Sequence, residues 1–466
     1  MIVMKPRFSL FALAFACALV PATAIAANLR VGAARVDITP PVDPANPPTG
    51  KYEHEHLYVR AIVLDNGVSR AALIGADQGG LPEAAWVHAS REIAKELDCP
   101  VANILMSATH THSGWGAAGG PPPGMFHPEP NAPAPPIVAQ LVDAVRQART
   151  KLQPAQVGFG RGLSYLNVNR DTIDPTTHLW TQSANLDGFS DKTVAVIKFE
   201  TPQGDPIAAY IDYAMHPVNG YLAGFTSADF AGATSRYVEQ AYGDKMVAVF
   251  AQGASGDQNP LYLRAATNAL ASRSGVSITG DVLTREAVEA PLRDGKVTPR
   301  PLDPAVRATL ERVMESEGVL LGEEVIRVMS NTKRMDPSPV IKASQEMATC
   351  PGRHRLDKPR EGTPGSYEDG DPVNLRLGVL RIGDVALASV DAEIYSPIGK
   401  RVKEESPMAN TVVVTLANGM ANSGYIPNDA SFGAYTFQVL SSRLKPGCAE
   451  GAIVGGLVNQ IEADEK

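Results

Sequence analysis

Val101-Ala102-Asn103-Ile104-Leu105-Met106-Ser107-Ala108-Thr109-His110-Thr111-His112-Ser113-Gly114 is the stretch from which the rest of the chain is read. Its apolar first half has the length and bounds of a short buried strand, and a Gly/Pro-rich segment follows Gly114. Side chains two apart on a strand share a face. His110 and His112 are therefore expected to point the same way at the carboxyl end of that strand, where open α/β sheets place their sites. Two adjacent imidazoles there fit a metal site, an acid/base pair or a hydrogen-bonded strand end. Which of these holds depends on what else the chain delivers to the same place.

Other segments repeat the plan of an apolar strand ending in a polar residue. Leu57–Leu64 and Val68–Ala76 flank Asp65-Asn66-Gly67 as a hairpin, with Asn-Gly suited to positive φ at both central positions. The helix expected over Glu83–Leu97 leads into the His110 strand, and an amphipathic helix is expected over Ile137–Leu152. Val194–Phe199 and Ile207–Ala214 form a second hairpin that ends at His216-Pro217. A helix over Ala231–Tyr242 follows, then a strand over Met246–Ala251 running into Gly256-Asp257-Gln258-Asn259-Pro260. Leu375–Ile382 and Val385–Val390 form a third hairpin ending at Glu393, and Thr411–Leu416 leads toward Gly424-Tyr425. Leu263–Lys342 is richer in charge and helix formers and reads as a helical insertion, and Arg353–Tyr367 reads as a loop. The expected fold is α/β, one mixed β-sheet core with hairpins, layered with helices.

Composition narrows the function classes. Lys5 and Arg7, an apolar run over Phe8–Val20 and Ala24-Ile25-Ala26 form a signal peptide over residues 1–26, so export to a periplasm or the medium is expected. Setting those two cations aside takes the formal charge of −8 to about −10. No basic patch or helix suggests nucleic acid, and no later apolar stretch is long enough to span a bilayer. Cys99, Cys350 and Cys448 permit one disulfide with one thiol over, and no Cys-x-x-Cys is present.

Histidines with a carboxylate suit Zn²⁺ better than the all-oxygen sets of Ca²⁺ or Mg²⁺. Ala108–Gly114, Asn169-Arg170, Ala214-Met215-His216-Pro217, Gly256–Pro260, Gly424-Tyr425 and the opening Val31–Pro40 together resemble the neutral/alkaline non-lysosomal ceramidase catalytic domain. The resemblance covers nearly all of 27–466, which it makes a single catalytic domain with the 263–342 insertion inside it. It implies that His110, His216, Glu393 and Tyr425 take the zinc-ligand positions. It gives His112 the place of the histidine near the scissile carbonyl, and Arg170 that of an arginine contacting the substrate carbonyl region.

This chain departs from the family pattern in carrying Asn259 where a serine treated as catalytic is expected, and Ser255 and Ser113 do not occupy the matching position. The C-terminal β-domain that the family pattern places next is not expected within these residues. Asp257 either holds its turn or steadies a histidine, and Asn259 is a candidate amide donor to an oxyanion. Trp115, Phe126 and the 116–124 loop are expected at the mouth.

The expected function is that of an exported, ceramidase-like amidohydrolase that cleaves the amide bond of a lipid-like N-acyl substrate through zinc-bound hydroxide. Arg170 polarises the carbonyl oxygen and His112 acts as acid/base. A zinc esterase or lactonase on a smaller, non-sphingoid substrate is the alternative, and a non-catalytic binding protein on the same fold is the third reading.

Overall fold

Three hairpins decide the architecture, and each is followed by a helix and a strand parallel to the hairpin's second strand. In the computed structural model, which describes Met1 and residues 28–42, 44, 47–48, 50–114, 133–276, 285–358 and 360–465, the first such unit is Tyr58–Asp65, Arg70–Ala76, helix Glu83–Leu97 and Ile104–Ala108. The second is Thr193–Glu200, Pro206–Tyr213, helix Asp229–Ala241 and Val247–Gln252. The third is Tyr367–Ile382, Val385–Val390, helix Ser396–Glu405 and Asn410–Val414. Antiparallel neighbours joined by tight turns and parallel neighbours joined by helices make each sheet mixed.

The α/β class expected from sequence holds, but the β core is divided among several sheets instead of one. Added to the first unit are Arg30–Asp37 and Gln153–Pro154; to the second, Gln156–Leu163; to the third, Ile341–Arg355. Val31, Leu64 and Leu73 of the first sheet meet Phe199 and Tyr210 of the second and Leu380 and Val412 of the third in one apolar core. Sheet packs on sheet inside, and helices cover the outer faces. Glu83–Leu97 and Ile137–Thr150 cover the first sheet, Asp229–Ala241 and Pro304–Asn331 the second, and Ala449–Glu465 the third. The 263–342 segment contains helices Arg264–Ser274, Arg285–Arg293 and Pro304–Asn331, after which Ile341 begins a strand. No helix among the described residues is long and apolar enough to cross a membrane.

A buried ionic junction ties the first sheet to the second unit's helix. Arg60, 2% exposed, donates to Asp77 at 2.9 Å and to Glu239 at 3.0 Å, and Arg35 also reaches Glu239. Each buried charge is answered, as the low-dielectric interior demands.

Several local readings are corrected. The Asp65–Gly67 turn has positive φ only at Gly67 (79°); Asn66 instead folds its side chain over the turn, its Oδ1 accepting from the Val68 and Ser69 amides. The Arg353–Tyr367 loop shrinks, because Ile341–Arg355 pairs with Tyr367–Ile382 along a long antiparallel ribbon. The signal peptide and the Trp115/Phe126 mouth fall outside the described residues.

Cys350 and Cys448 form a disulfide that closes a sequence separation of 98 residues and pins the last helix to this ribbon, while Cys99 is a free thiol. Such a bond stabilises chiefly by restricting the unfolded chain. Replacing both cysteines by serine is expected to lower stability by about 2–5 kcal/mol, measured as a fall in the urea midpoint that reductant reproduces in the wild type.

Candidate functional site

The middle strands of the three units end at Ala76, Tyr213 and Val390, and in each the third residue beyond faces one place. Those residues are Gly79, His216 and Glu393. The Gly79 carbonyl accepts from Nδ1 of His110 at 2.6 Å. His216 Nδ1 donates to the Ser255 carbonyl at 2.8 Å and lies 3.1 Å from that of Gln258. Carbonyls only accept, so both imidazoles carry their proton on Nδ1 and leave Nε2 as a lone-pair donor.

Those Nε2 atoms converge. His110 Nε2 lies 3.1 Å from His216 Nε2 and 3.2 Å from Glu393 Oε2, and His216 Nε2 lies 3.3 Å from the same oxygen. His112 Nε2 approaches His110 Nε2 at 3.3 Å, and the Tyr425 hydroxyl lies 3.4 Å from His216 Nε2. Tyr425 reaches this position because Tyr425–Ile426 pairs in parallel with Glu393–Ile394, setting Tyr425 directly opposite Glu393. Imidazole lone pairs and a carboxylate aimed at one another repel unless a cation or protons lie between them. Donors held 2.0–2.1 Å from one tetrahedral centre sit about 3.3–3.4 Å apart, close to the 3.1–3.4 Å among His110, His216 and Glu393 and between His216 and Tyr425. The donor set of nitrogen and oxygen therefore fits a zinc-sized ion. His110, His112 and His216 also form a three-histidine group able to hold a metal.

For His216 the electrostatics agree with a neutral ring. Burial pushes the His216 imidazole down to about 3, Arg170 adding to the fall. Burial would raise Glu393, but His110 and His216 outweigh it and hold its carboxyl well below the usual range. Burial and Glu393 push the Tyr425 phenol up.

One expectation fails in its geometry. The strand ends at Ala108, preceded by a 3₁₀ turn over Val101–Asn103, so His110 and His112 do not share a strand face. His110 instead adopts φ 66°, a left-handed conformation costly for a side chain of this size. That reversal, with the Gly79 bond, turns its ring toward His216; the ring centroids of His110 lie 4.7 Å from those of both His112 and His216.

Beside the cluster Arg170 is 3% exposed. It comes from Asn167–Ile173, which pairs with Gln258–Pro260. Its Nη1 donates to Asn259 Oδ1 at 3.2 Å and its Nη2 to the Gly256 carbonyl at 2.6 Å. Tyr425 and Phe437 stack under the guanidinium at 5.3 and 5.0 Å, and its buried Nε has no partner. Among the described residues Arg170 has no salt bridge, which makes it a buried cation suited to a developing negative charge. With Oδ1 engaged, Asn259 keeps its Nδ2 as donor.

His112, Arg170, Asn259 and Tyr425 line one end of a cavity of about 880 Å³, with Tyr221 and Phe437 as walls that the sequence did not single out. Neither aromatic belongs to a motif; Tyr221 lies in a turn and Phe437 begins the short helix Phe437–Ser441.

Of its two tasks Asp257 performs the first, and it is not among the cavity-lining residues. Its carboxylate accepts from the Ser396 amide (2.7 Å), the Ser396 hydroxyl (2.9 Å) and Asn169 Nδ2 (3.1 Å), locking the turn to the third unit's helix. Ser255 likewise is structural, its Oγ accepting from Gln252.

Burial pushes the Asp257 carboxyl up to about 6 against hydrogen bonds that lower it. An unfolded aspartate titrates near 3.9, so folding takes up a proton between these values. The stability gained is full below the unfolded pKa and lost as pH rises through the folded one. Asp257→Asn is expected to flatten this slope. Between pH 4 and 7.5 the variant should gain on the wild type by up to about 3 kcal/mol in urea unfolding.

Comparison with known proteins points the same way. The neutral ceramidase B of Dictyostelium discoideum is 28% identical over 185 residues, 37% of this chain and 25% of that protein. The neutral ceramidase of Drosophila melanogaster is 27% identical over 277 residues, 53% of this chain and 38% of that protein. The chain thus spans less than two-fifths of either relative's length in these matches. Two solved structures share the fold across 94% of this chain and 75% of theirs, each at 16% identity. They are a ceramidase complexed with C2 (TM-score 0.64) and the neutral ceramidase of Pseudomonas aeruginosa (TM-score 0.62). Because the family model "Neutral/alkaline non-lysosomal ceramidase, N-terminal" matches residues 30–278, more than half of its length, the chain belongs to that family.

Proposed function

We propose that this protein is an exported zinc-dependent amidohydrolase that cleaves the amide of a lipid-like N-acyl substrate. The observation that carries the reading is the convergence of His110, His216 and Glu393 within 3.1–3.3 Å of one another, with the Tyr425 hydroxyl 3.4 Å from His216, at one end of a cavity that also presents Arg170. His110, His216, Glu393 and Tyr425 would hold the ion, with Gly79 and Ser255 carbonyls fixing the imidazoles. Zinc bound there supplies a Lewis acid and a water acidified toward neutral pH.

The chain's own residues do the rest. Arg170, buried without a carboxylate partner, stabilises charge developing on the acyl oxygen. Asn259 assists through Nδ2, the hydrogen-bond donor left by its bond to Arg170. His112 lines the cavity beside the ligand set and carries a proton to the departing amine. The aromatic walls Tyr221 and Phe437 suit an apolar acyl chain. The disulfide supports export, since such bonds persist in oxidising compartments.

Asn259, an amide where the family pattern has a serine, favours a second reading: an esterase or lactonase on a smaller substrate, served by the same residues. Parallel assays on N-acyl sphingosine and on short acyl esters and lactones separate the two.

His110→Ala is expected to reduce bound zinc from about one ion per chain to background and to abolish hydrolysis. Retention of both metal and activity would end the proposal. His112→Asn is expected to keep its zinc while kcat falls about 10²–10⁴-fold; loss of zinc would make His112 a ligand instead. Arg170→Met is expected to lower kcat about 10²–10³-fold with metal content unchanged, by analogy with removal of an oxyanion donor.

A further inference from the structure

The cavity changes character along its length. At one end Arg170 and Asn259 are buried; at the other Arg293, Asp294, Lys296, Lys358 and Arg360 are exposed and form the mouth. The mouth is built by the helix Arg285–Arg293 with the residues after it, and by the loop between Ile341–Arg355 and Tyr367–Ile382. Arg293 and Lys296 share Asp294, at 3.3 and 2.7 Å. The Glu361 carboxylate accepts the Phe437 amide at 3.1 Å. Among the described residues Lys358 and Arg360 have no ion pair.

The lining thus holds five cations (Arg170 and the four at the mouth) against three acids, Glu289, Asp294 and Glu361. The whole chain, in contrast, has a formal charge of −8. A negative protein repels anions at long range, and a cleft of opposite sign reverses that locally and focuses the field on its opening. An uncharged head group gains nothing from two unanswered cations, whereas carboxylate or phosphate oxygens match a guanidinium and an ammonium.

We infer that the mouth selects acyl compounds whose non-acyl half carries an anionic group, carboxylate or phosphate, bound by Lys358 and Arg360. The acyl chain then lies against Tyr221 and Phe437, and the scissile carbonyl faces Arg170. This inference rests on the hydrolase reading above.

The test uses the zinc-loaded full chain at low ionic strength with three amides of one acyl length: N-dodecanoylglycine, N-dodecanoyl-O-phosphoethanolamine and N-dodecanoylethanolamine. One anionic amide is expected to exceed the neutral one about tenfold in kcat/KM, and which of the two leads identifies the anion. The charge reversal K358E/R360E, checked for an unchanged melting temperature, is expected to bring that ratio close to one through KM, and so is high salt. A neutral amide cleaved as fast as both anionic ones, or a ratio that survives the reversal, overturns the inference. If no amide is cleaved, the amidohydrolase reading fails and calorimetric titration with N-dodecanoylglycine still decides. Binding weakened by K358E/R360E supports an anion-selecting mouth, and binding indifferent to it refutes one.

Discussion

Two backbone carbonyls fix the protons of this site. Gly79 and Ser255 can only accept, so they force the protons of His110 and His216 onto Nδ1. Both Nε2 lone pairs are then committed to the same small volume as the Glu393 carboxylate. Burial keeps His216 neutral, while Glu393 is ionised against the same burial because His110 and His216 beside it hold its carboxyl down. The positive φ of His110 is tolerated because the Gly79 bond and the packing around it overdetermine the ring's position.

The way these groups are assembled explains how residues hundreds of positions apart can act together. Each hairpin–helix–strand unit releases its middle strand toward a common crevice, and the third residue beyond that strand arrives at the site from all three units. Two of these residues supply side chains, His216 and Glu393, and the other supplies the Gly79 carbonyl. Past the carboxyl ends of the first two parallel strands come His110 and His112 and Asp257 to Asn259, while Tyr425 sits in the separate short strand Tyr425–Ile426 that follows the third. Crevices at the carboxyl ends of strands are open to this use because backbone and loops, not core side chains, fill them.

Much of this frame was legible in sequence because hydrophobic period and turn residues are local. The three hairpins and the helix over Glu83–Leu97 come from such signals. The strand Ile341–Arg355 was not legible, since only Ile341, Cys350 and Gly352 of it are buried and its first residues close a charged segment. Nor was the division of the core into several sheets, which depends on which apolar faces meet. At the site, the ligand-type residues could be named from their motifs and the family resemblance. The opposition of Glu393 to Tyr425 is a matter of strand register 32 positions apart, and no local pattern encodes it. The orientation of His110 was misread for a physical reason. Alternation holds only while the chain remains a strand, and here it ends two residues earlier.

On the proposed reading, chemistry and selection occupy different materials in this molecule. The donor cluster and Arg170 are seated on strand ends clamped by buried bonds such as those from Asp257 to Ser396 and Asn169. A shift there would misalign several groups at once, because each of these side chains is held by an element from a different unit. The mouth is made from a short helix and a hairpin loop whose exposed side chains have few packing duties. Loops of that kind tolerate replacement at little cost in stability. An Asn259 that still accepts from Arg170 belongs to the first material: its amide keeps the guanidinium positioned whatever the substrate is. On the proposed reading, a chain built in this way keeps one reaction centre while the charge at its opening changes, so the bond cleaved and the molecule admitted would be set by separate parts of the sequence.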